Sequence, residues 1–399
     1  MSSTYARRIR EVQPSATLAV DAKAKAMQAQ GIDVVGFGAG EPDFNTPQHI
    51  VQAGVGALTT GDTRYGAKRG NELKEAIAAK LKRENGLEYG AEQIVVSSGA
   101  KHSLYNIYQV LVDEGDEVII PAPYWVSYLE QARLAGGTPV ILETTEESGF
   151  KIGPAQLEAA ITPKSKLFIF NSPSNPTGAV YTPDEIRALA AVIEKHNLVT
   201  ISDEIYEHLI YGEIEHLSMG SLSKKLLEEL VITVNGVSKT FAMTGWRIGY
   251  AAGPKPIVAA IRKLQSHATS DPAAFCQAGA CEALKNRRMS DEAVMSMREE
   301  FDERRKHIVQ RLNALKGVSI LEPLGAFYAF ANVSGVFGRE LGGVKIQSAM
   351  DFTNVALDKA RVAVVPGEAF GSPRHVRLSY ATSRELIDKG LDRLAELLG

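Results

Sequence analysis

Cysteine is scarce: Cys276 and Cys281 are the only two in 399 residues. Their spacing in "CQAGAC" suits neither a disulfide framework nor a paired CxxC zinc site, so buried thiols in a reducing compartment are expected, and no metal. Long apolar runs are missing too. No stretch of about 18 apolar residues is available to span a bilayer, and the start "MSSTYARRIREVQPSATLAV" has basic residues without the apolar segment of a signal peptide. The expected location is therefore cytoplasmic. Charge of one sign is not in excess, and a net charge of -3 gives no electrostatic reason to expect nucleic acid or an anionic membrane as partner. Internal repeats, low-complexity tracts and Ser/Gly linkers are also absent, so the parts of the chain should pack closely. What remains is an ordinary globular composition, 45% apolar and 23% charged, of a length that suggests two or three domains and a small-molecule ligand.

The chain then declares a pattern. From about residue 93 to 252, apolar and β-branched runs ("QIVVSS", "DEVIIPA", "TPVILET", "KLFIFN", "LVTISD", "LVITVN", "RIGYAAG") alternate with helix-length segments. Among the latter, "TPDEIRALAAVIEKHN" opens with a Thr cap and Pro in the first turn. Such alternation predicts an α/β fold, with a mostly parallel sheet covered by helices on both faces. Val294, Met297, Phe301, Ile308 and Leu312 recur at helical spacing, which predicts core packing along a long connecting helix. Beyond it, "VSILEP", "GAFYAFAN", "VAVVPG" and "HVRLSYA" read as strands of a smaller α+β domain.

In parallel α/β sheets, ligands collect at the carboxyl ends of strands. "SSGAKHSL" ends a strand and opens a helix, so Ser98, Gly99, Ala100 and Lys101 offer amides and charge to a phosphate, although small residues at such turns also serve geometry alone. "NSPSNPTG" places Asn171 and Asn175 after another strand, where turn chemistry is the plainer use. Asp203 ends "LVTISD", with Tyr206 three residues on, where a helix is expected to begin; Asp203 alone reads as a helix cap. Lys239 and Arg247 in "VSKTFAMTGWRIGY" complete the set. A lysine among apolar residues and near other cations loses proton affinity and can form a Schiff base with an aldehyde. A pyridine-type electron sink then wants a carboxylate (Asp203), donors to a phenolic oxygen (Asn175, Tyr206), a phosphate clamp (Arg247) and an aromatic face (Trp125).

With these motifs in hand, the chain resembles the class I, fold type I pyridoxal-phosphate aminotransferases, and within them the bacterial aspartate aminotransferases of subgroup Ib. "PSATLAV", "GAGEPDFNTP", "YWVSY", "NSPSNPTGAVY", "SDEIYEHL", "SKTFAMTGWRIGY" and "VRLSYATS" appear in family order over nearly the whole length. The resemblance implies pyridoxal 5′-phosphate as cofactor, with Lys239 as the Schiff-base lysine that moves the substrate Cα proton. Asp203 would pair with the pyridine nitrogen, Asn175 and Tyr206 with the phenolate, and Trp125 with the ring face. Gly99, Ala100, Ser238 and Arg247 would hold the phosphate, joined by Tyr65 reaching across from a neighbouring subunit, which implies a homodimer with shared sites. Arg377 would grip the α-carboxylate, supported by Asn175 and the backbone at Gly40, while Ser15, Thr17 and Lys101 would meet the distal carboxylate of the substrate.

The implied reaction is L-aspartate plus 2-oxoglutarate to oxaloacetate plus L-glutamate. The implied division is an N-terminal segment 1–45 contributing to the small domain, a large cofactor-binding domain 46–290 and a small C-terminal domain 291–399. One departure stands out. Members of the subgroup that also use prephenate commonly carry lysine before the proline of "PSAT", and this chain has Gln13, which counts against prephenate as a substrate without excluding it. Competing expectations are an aminotransferase for alanine, aromatic or kynurenine substrates, a β-lyase, or a cofactor-binding regulator. The last is disfavoured because no DNA-binding segment of adequate length is seen before residue 30.

Overall fold

The computed structural model describes residues 4–64 and 67–399, with the side chains of all of these except residues 7 and 67–69. Tyr65 therefore lies outside the described residues. The seven strand-like runs all form strands of one sheet: β1 (Ile94–Ser97), β2 (Glu117–Pro121), β3 (Thr138–Leu142), β4 (Ser165–Asn171), β5 (Val199–Asp203), β6 (Val231–Gly236) and β7 (Gly249–Ala252). Their order is β1-β7-β6-β5-β4-β2-β3. Pairing is parallel except that β7 runs antiparallel to both of its neighbours.

Alternation along these strands feeds two cores. Val118, Ile120, Leu167 and Ile169 pack on one face with Leu104 and Ile107 of helix Ala100–Leu111, whereas Ile119, Phe168 and Phe170 pack on the other with Leu189 and Ile193 of helix Pro183–His196. A sheet buried on both faces has no polar side to alternate with, which is why its strands read as continuous apolar runs. Helix Pro183–His196 starts as expected: Thr182 Oγ1 accepts from Glu185 N, and Glu185 returns the bond to the Thr182 amide.

A second, antiparallel sheet has the order β10-β11-β9-β8, from β8 (Ser319–Ile320), β9 (Tyr328–Asn332), β10 (Val365–Pro366) and β11 (His375–Ser379). The run "VAVVPG" is split, since Val362–Ala363 pairs instead with Val35–Gly36 from near the N-terminus. Helix Arg287–Asn313 spans 27 residues and lays Met297, Phe301, Ile308 and Leu312 into the core beside the second sheet, whereas Val294 packs against a different cluster. Among the described residues, no helix is long and apolar enough to cross a membrane. Cys276 and Cys281 are both buried thiols, with no disulfide between them.

Candidate active site

The carboxyl ends of β1, β4, β5 and β6 open on a cavity of about 640 Å³. Its lining includes Thr17, Gly40, Ala100, Lys101, Trp125, Asn175, Asp203, Tyr206, Ser238, Lys239, Arg247 and Arg377. Two expected residues stand just behind this lining. Ser15 caps helix Ala16–Ala29 and shares a 2.9 Å hydrogen bond with Thr17, so capping and placement beside the cavity hold together. Gly99 precedes helix Ala100–Leu111, held at φ +85° with the Arg247 guanidinium against its Cα.

Lys239 follows β6, and its Nζ donates to the carbonyl of Gly40. Desolvation pushes its pKa down to about 8; Arg377, Arg247 and Lys101 act in the same direction, and Glu41 opposes them. Asp203 ends β5 and is 3% exposed. Burial raises its carboxyl to about 6, against the pull of a 2.6 Å bond from the Tyr128 hydroxyl and a 3.3 Å bond from the Ile205 amide. Tyr206 is not in a helix. Residues 205–208 form a turn, because the chain is drawn across to the second sheet, where Tyr206 meets Tyr328 hydroxyl to hydroxyl at 2.8 Å and Tyr211 N bonds to the Leu324 carbonyl. Asp203 accordingly caps no helix.

Arg247 donates to the carbonyls of Thr244 and Ser98, which aims it at the start of helix Ala100–Leu111. The preceding Trp246 is wedged between two helices at Gly54 and Gly279, where a Cβ would come within 2.8 and 2.6 Å of its ring. Lys101 Nζ sits 4.9 Å over the Trp125 ring, and burial together with Arg247 lowers its pKa.

Arg377 reaches in from β11, buried, between the rings of Tyr328 and Phe370. It donates to Asn175 Oδ1 at 2.9 Å and to the carbonyl of Gly38 at 2.9 Å, so Gly38 supplies the backbone contact while the Gly40 carbonyl faces Lys239. Its Nε is buried with no hydrogen-bond partner among the described residues. Residues that the sequence reading missed are Tyr128, Tyr328 and Glu41, the last accepting a 2.8 Å bond from Thr244. Both tyrosines look like core aromatics in sequence; only the spacing of Tyr128 from Trp125 on one helical turn hinted that it faces the same side.

The donor set suits a phosphorylated pyridine aldehyde. A buried carboxylate whose hydrogen bonds, among the described residues, come from a hydroxyl and an amide could pair with a cationic ring nitrogen, and a guanidinium lies against a glycine and a helix start. A lysine amine of low proton affinity stands between them. Residues 32–394 match the family described as aminotransferase class I and II. The chain belongs to that family. This aminotransferase is 49% identical over 390 residues to the aspartate aminotransferase of Bacillus subtilis, covering 98% of this chain and 97% of that protein. It is 47% identical to the aspartate/prephenate aminotransferase of Cereibacter sphaeroides, covering 99% and 97%. The crystal structure of the aspartate aminotransferase of Rhizobium meliloti superimposes with a TM-score of 0.95 at 42% identity, covering 100% of this aminotransferase and 99% of that chain.

Proposed function

We propose that this aminotransferase moves the amino group of L-aspartate to 2-oxoglutarate, giving oxaloacetate and L-glutamate, with pyridoxal 5′-phosphate as cofactor. The observation that carries the reading is the convergence of Lys239, Asp203, Arg247 and Arg377 on one cavity. The names of the relatives support aspartate as donor.

Bound pyridoxal phosphate supplies an electron sink for charge developing at the substrate Cα. Asp203 would keep the pyridine nitrogen protonated, Asn175 and Tyr206 would donate to the phenolic oxygen, and Trp125 would cover the ring. Ser238, Arg247 and the amides of Gly99 and Ala100 would hold the phosphate. Lys239, its proton affinity lowered by burial, is suited to act as a proton carrier at Cα. Arg377 would pair with the α-carboxylate, and Lys101 with Thr17 and Ser15 would meet the distal carboxylate. Because Arg377 comes from the second sheet and Lys239 from the first, a division into 1–45, 46–290 and 291–399 would let the smaller part close over substrate and expel water. A cytoplasmic homodimer, with Tyr65 of each subunit serving the other site, completes the reading.

Prephenate is a second acceptor to consider, favoured by the relative from Cereibacter sphaeroides and opposed by Gln13. The test is a panel of aspartate, alanine, phenylalanine and kynurenine against 2-oxoglutarate and prephenate, with an S-alkylcysteine incubated without any oxo acid as the β-elimination arm, since loss of its thiol yields pyruvate and ammonia. Aspartate should be the preferred donor; an alanine or aromatic preference, or elimination, would overturn the assignment.

A further inference from the structure

The segment after β5 alternates between two environments. Asp203 and Tyr206 face the cavity, whereas Glu204 and Glu207 turn away into a buried polar cluster behind it. Lys80 and Asn85 enter this cluster from helix Ala67–Asn85, and Ser218 and Asn235 complete it. Glu207 is the hub. Its Oε1 accepts from Lys80 Nζ and, at 2.6 Å, from Asn235 Nδ2; its Oε2 accepts from Asn85 Nδ2 at 2.6 Å. Asn235 lies on β6 just before Lys239, and the next residue after Glu207, His208, shares a 3.2 Å bond with Thr240 just after Lys239. The segment bearing Asp203 and Tyr206 is thus tied to the segment bearing Lys239 from behind, on both sides of the lysine.

A metal ion is the other chemistry such a cluster suggests, since ligand atoms of Glu204, Glu207 and His216 lie within 4.8 Å of one another. Asn85 Nδ2 already stands among them, donating to Glu207, to Ser218 Oγ at 2.8 Å and to Glu204 Oε2 at 3.4 Å. Glu204 is satisfied besides by the hydroxyls of Ser202 and Ser218. With N–H and O–H donors on every carboxylate oxygen and the Lys80 ammonium at hand, the cluster is complete without an ion.

We propose that Glu207 is a positioning residue for transamination, its carboxylate anchored by Lys80 and Asn85 and acting through Asn235 to hold Lys239 in register with Asp203 and Tyr206. The proposal rests on the functional reading above. Its logic is that a buried carboxylate shared by two catalytic segments sets their separation, and errors of about 1 Å in such placement can cost about 100-fold in rate.

Glu207→Gln keeps the shape, removes the charge and sets an amide against the donors of Asn85 and Lys80. The decisive readout is Lys239 itself in the apoenzyme, by reductive methylation at a series of pH values and peptide mass spectrometry. This readout needs neither cofactor nor aspartate, so it stands apart from the choice of substrate. Burial lowers the Lys239 pKa, and loosened packing admits water, so the half-labelling pH should rise from its wild-type position toward the ordinary lysine value. Arg305→Met, which removes a buried guanidinium paired with half-buried Asp302 and exposed Glu322 outside the cavity, should leave the midpoint in place even if it lowers Tm equally. In the holoenzyme, the half-reaction of Glu207→Gln should slow by about 10- to 100-fold with KM within about threefold. A folded Glu207→Gln with the wild-type midpoint would overturn the proposal. Should that variant fail to fold, Asn235→Ala, which cuts a single arm, must show the same upward shift; a wild-type midpoint there would overturn it equally.

Discussion

Replacing Gly99 with alanine probes the proposed phosphate cradle by geometry. Gly99 sits at φ +85°, and a Cβ at this position would lie 2.2 Å from Arg247 Nη2. Two separable costs follow. Holding a non-glycine residue in that backbone region costs about 1–3 kcal/mol of stability whether or not cofactor is present. Arg247 must also swing aside, and a lost charge-assisted hydrogen bond of about 1.5–3 kcal/mol corresponds to about 10- to 200-fold weaker binding of pyridoxal phosphate. The assay is a fluorescence titration of apoenzyme with pyridoxal phosphate and, in parallel, with pyridoxal, which has no phosphate to lose. Pyridoxal affinity should change by less than about threefold. Unchanged affinity for the phosphate form, or equal losses for both ligands, would refute the cradle.

Three further outcomes are expected. Tyr128→Phe removes the donor to Asp203, so its carboxyl, already at about 6, should rise further; because the ring nitrogen needs the ionised form, the acidic limb of cofactor affinity against pH should move upward, and an unmoved limb would contradict the contact. Lys101→Ser should cut kcat/KM for aspartate about 10- to 200-fold while alanine and phenylalanine change little, whereas uniform losses with weaker cofactor retention would reassign Lys101 to the phosphate loop. Arg377→Lys gives up a planar fork that serves every donor, so aspartate, alanine and phenylalanine half-reactions should fall together; a loss confined to aspartate would speak against α-carboxylate binding.

Legibility followed burial. The strands of the large sheet could be read because each is a short apolar run bounded by turn residues, and Asn175, Asp203 and Lys239 then fall at strand ends where a parallel sheet gathers ligands. Tyr206 was misplaced into a helix because its conformation is set by Tyr328, a partner 122 residues away. Glu207 carried no signal for the same reason, since Lys80 is 127 residues distant and an isolated glutamate reads as solvated. The exchange of roles between the Gly38 and Gly40 carbonyls depends on how Arg377 and Lys239 approach from different sheets, which no local pattern encodes. Tyr65, expected to join two subunits, falls outside the described residues.

The central claim, that Lys239 carries the Cα proton in aspartate transamination, is tested most directly by a single turnover without an oxo-acid acceptor. Cofactor-loaded wild type and Lys239→Ala are mixed with aspartate, and oxaloacetate is counted per subunit. The account predicts about one equivalent from the wild type and essentially none from Lys239→Ala on the same timescale, with cofactor still retained through Asp203 and Arg247. Oxaloacetate formed at the wild-type rate by Lys239→Ala would contradict it.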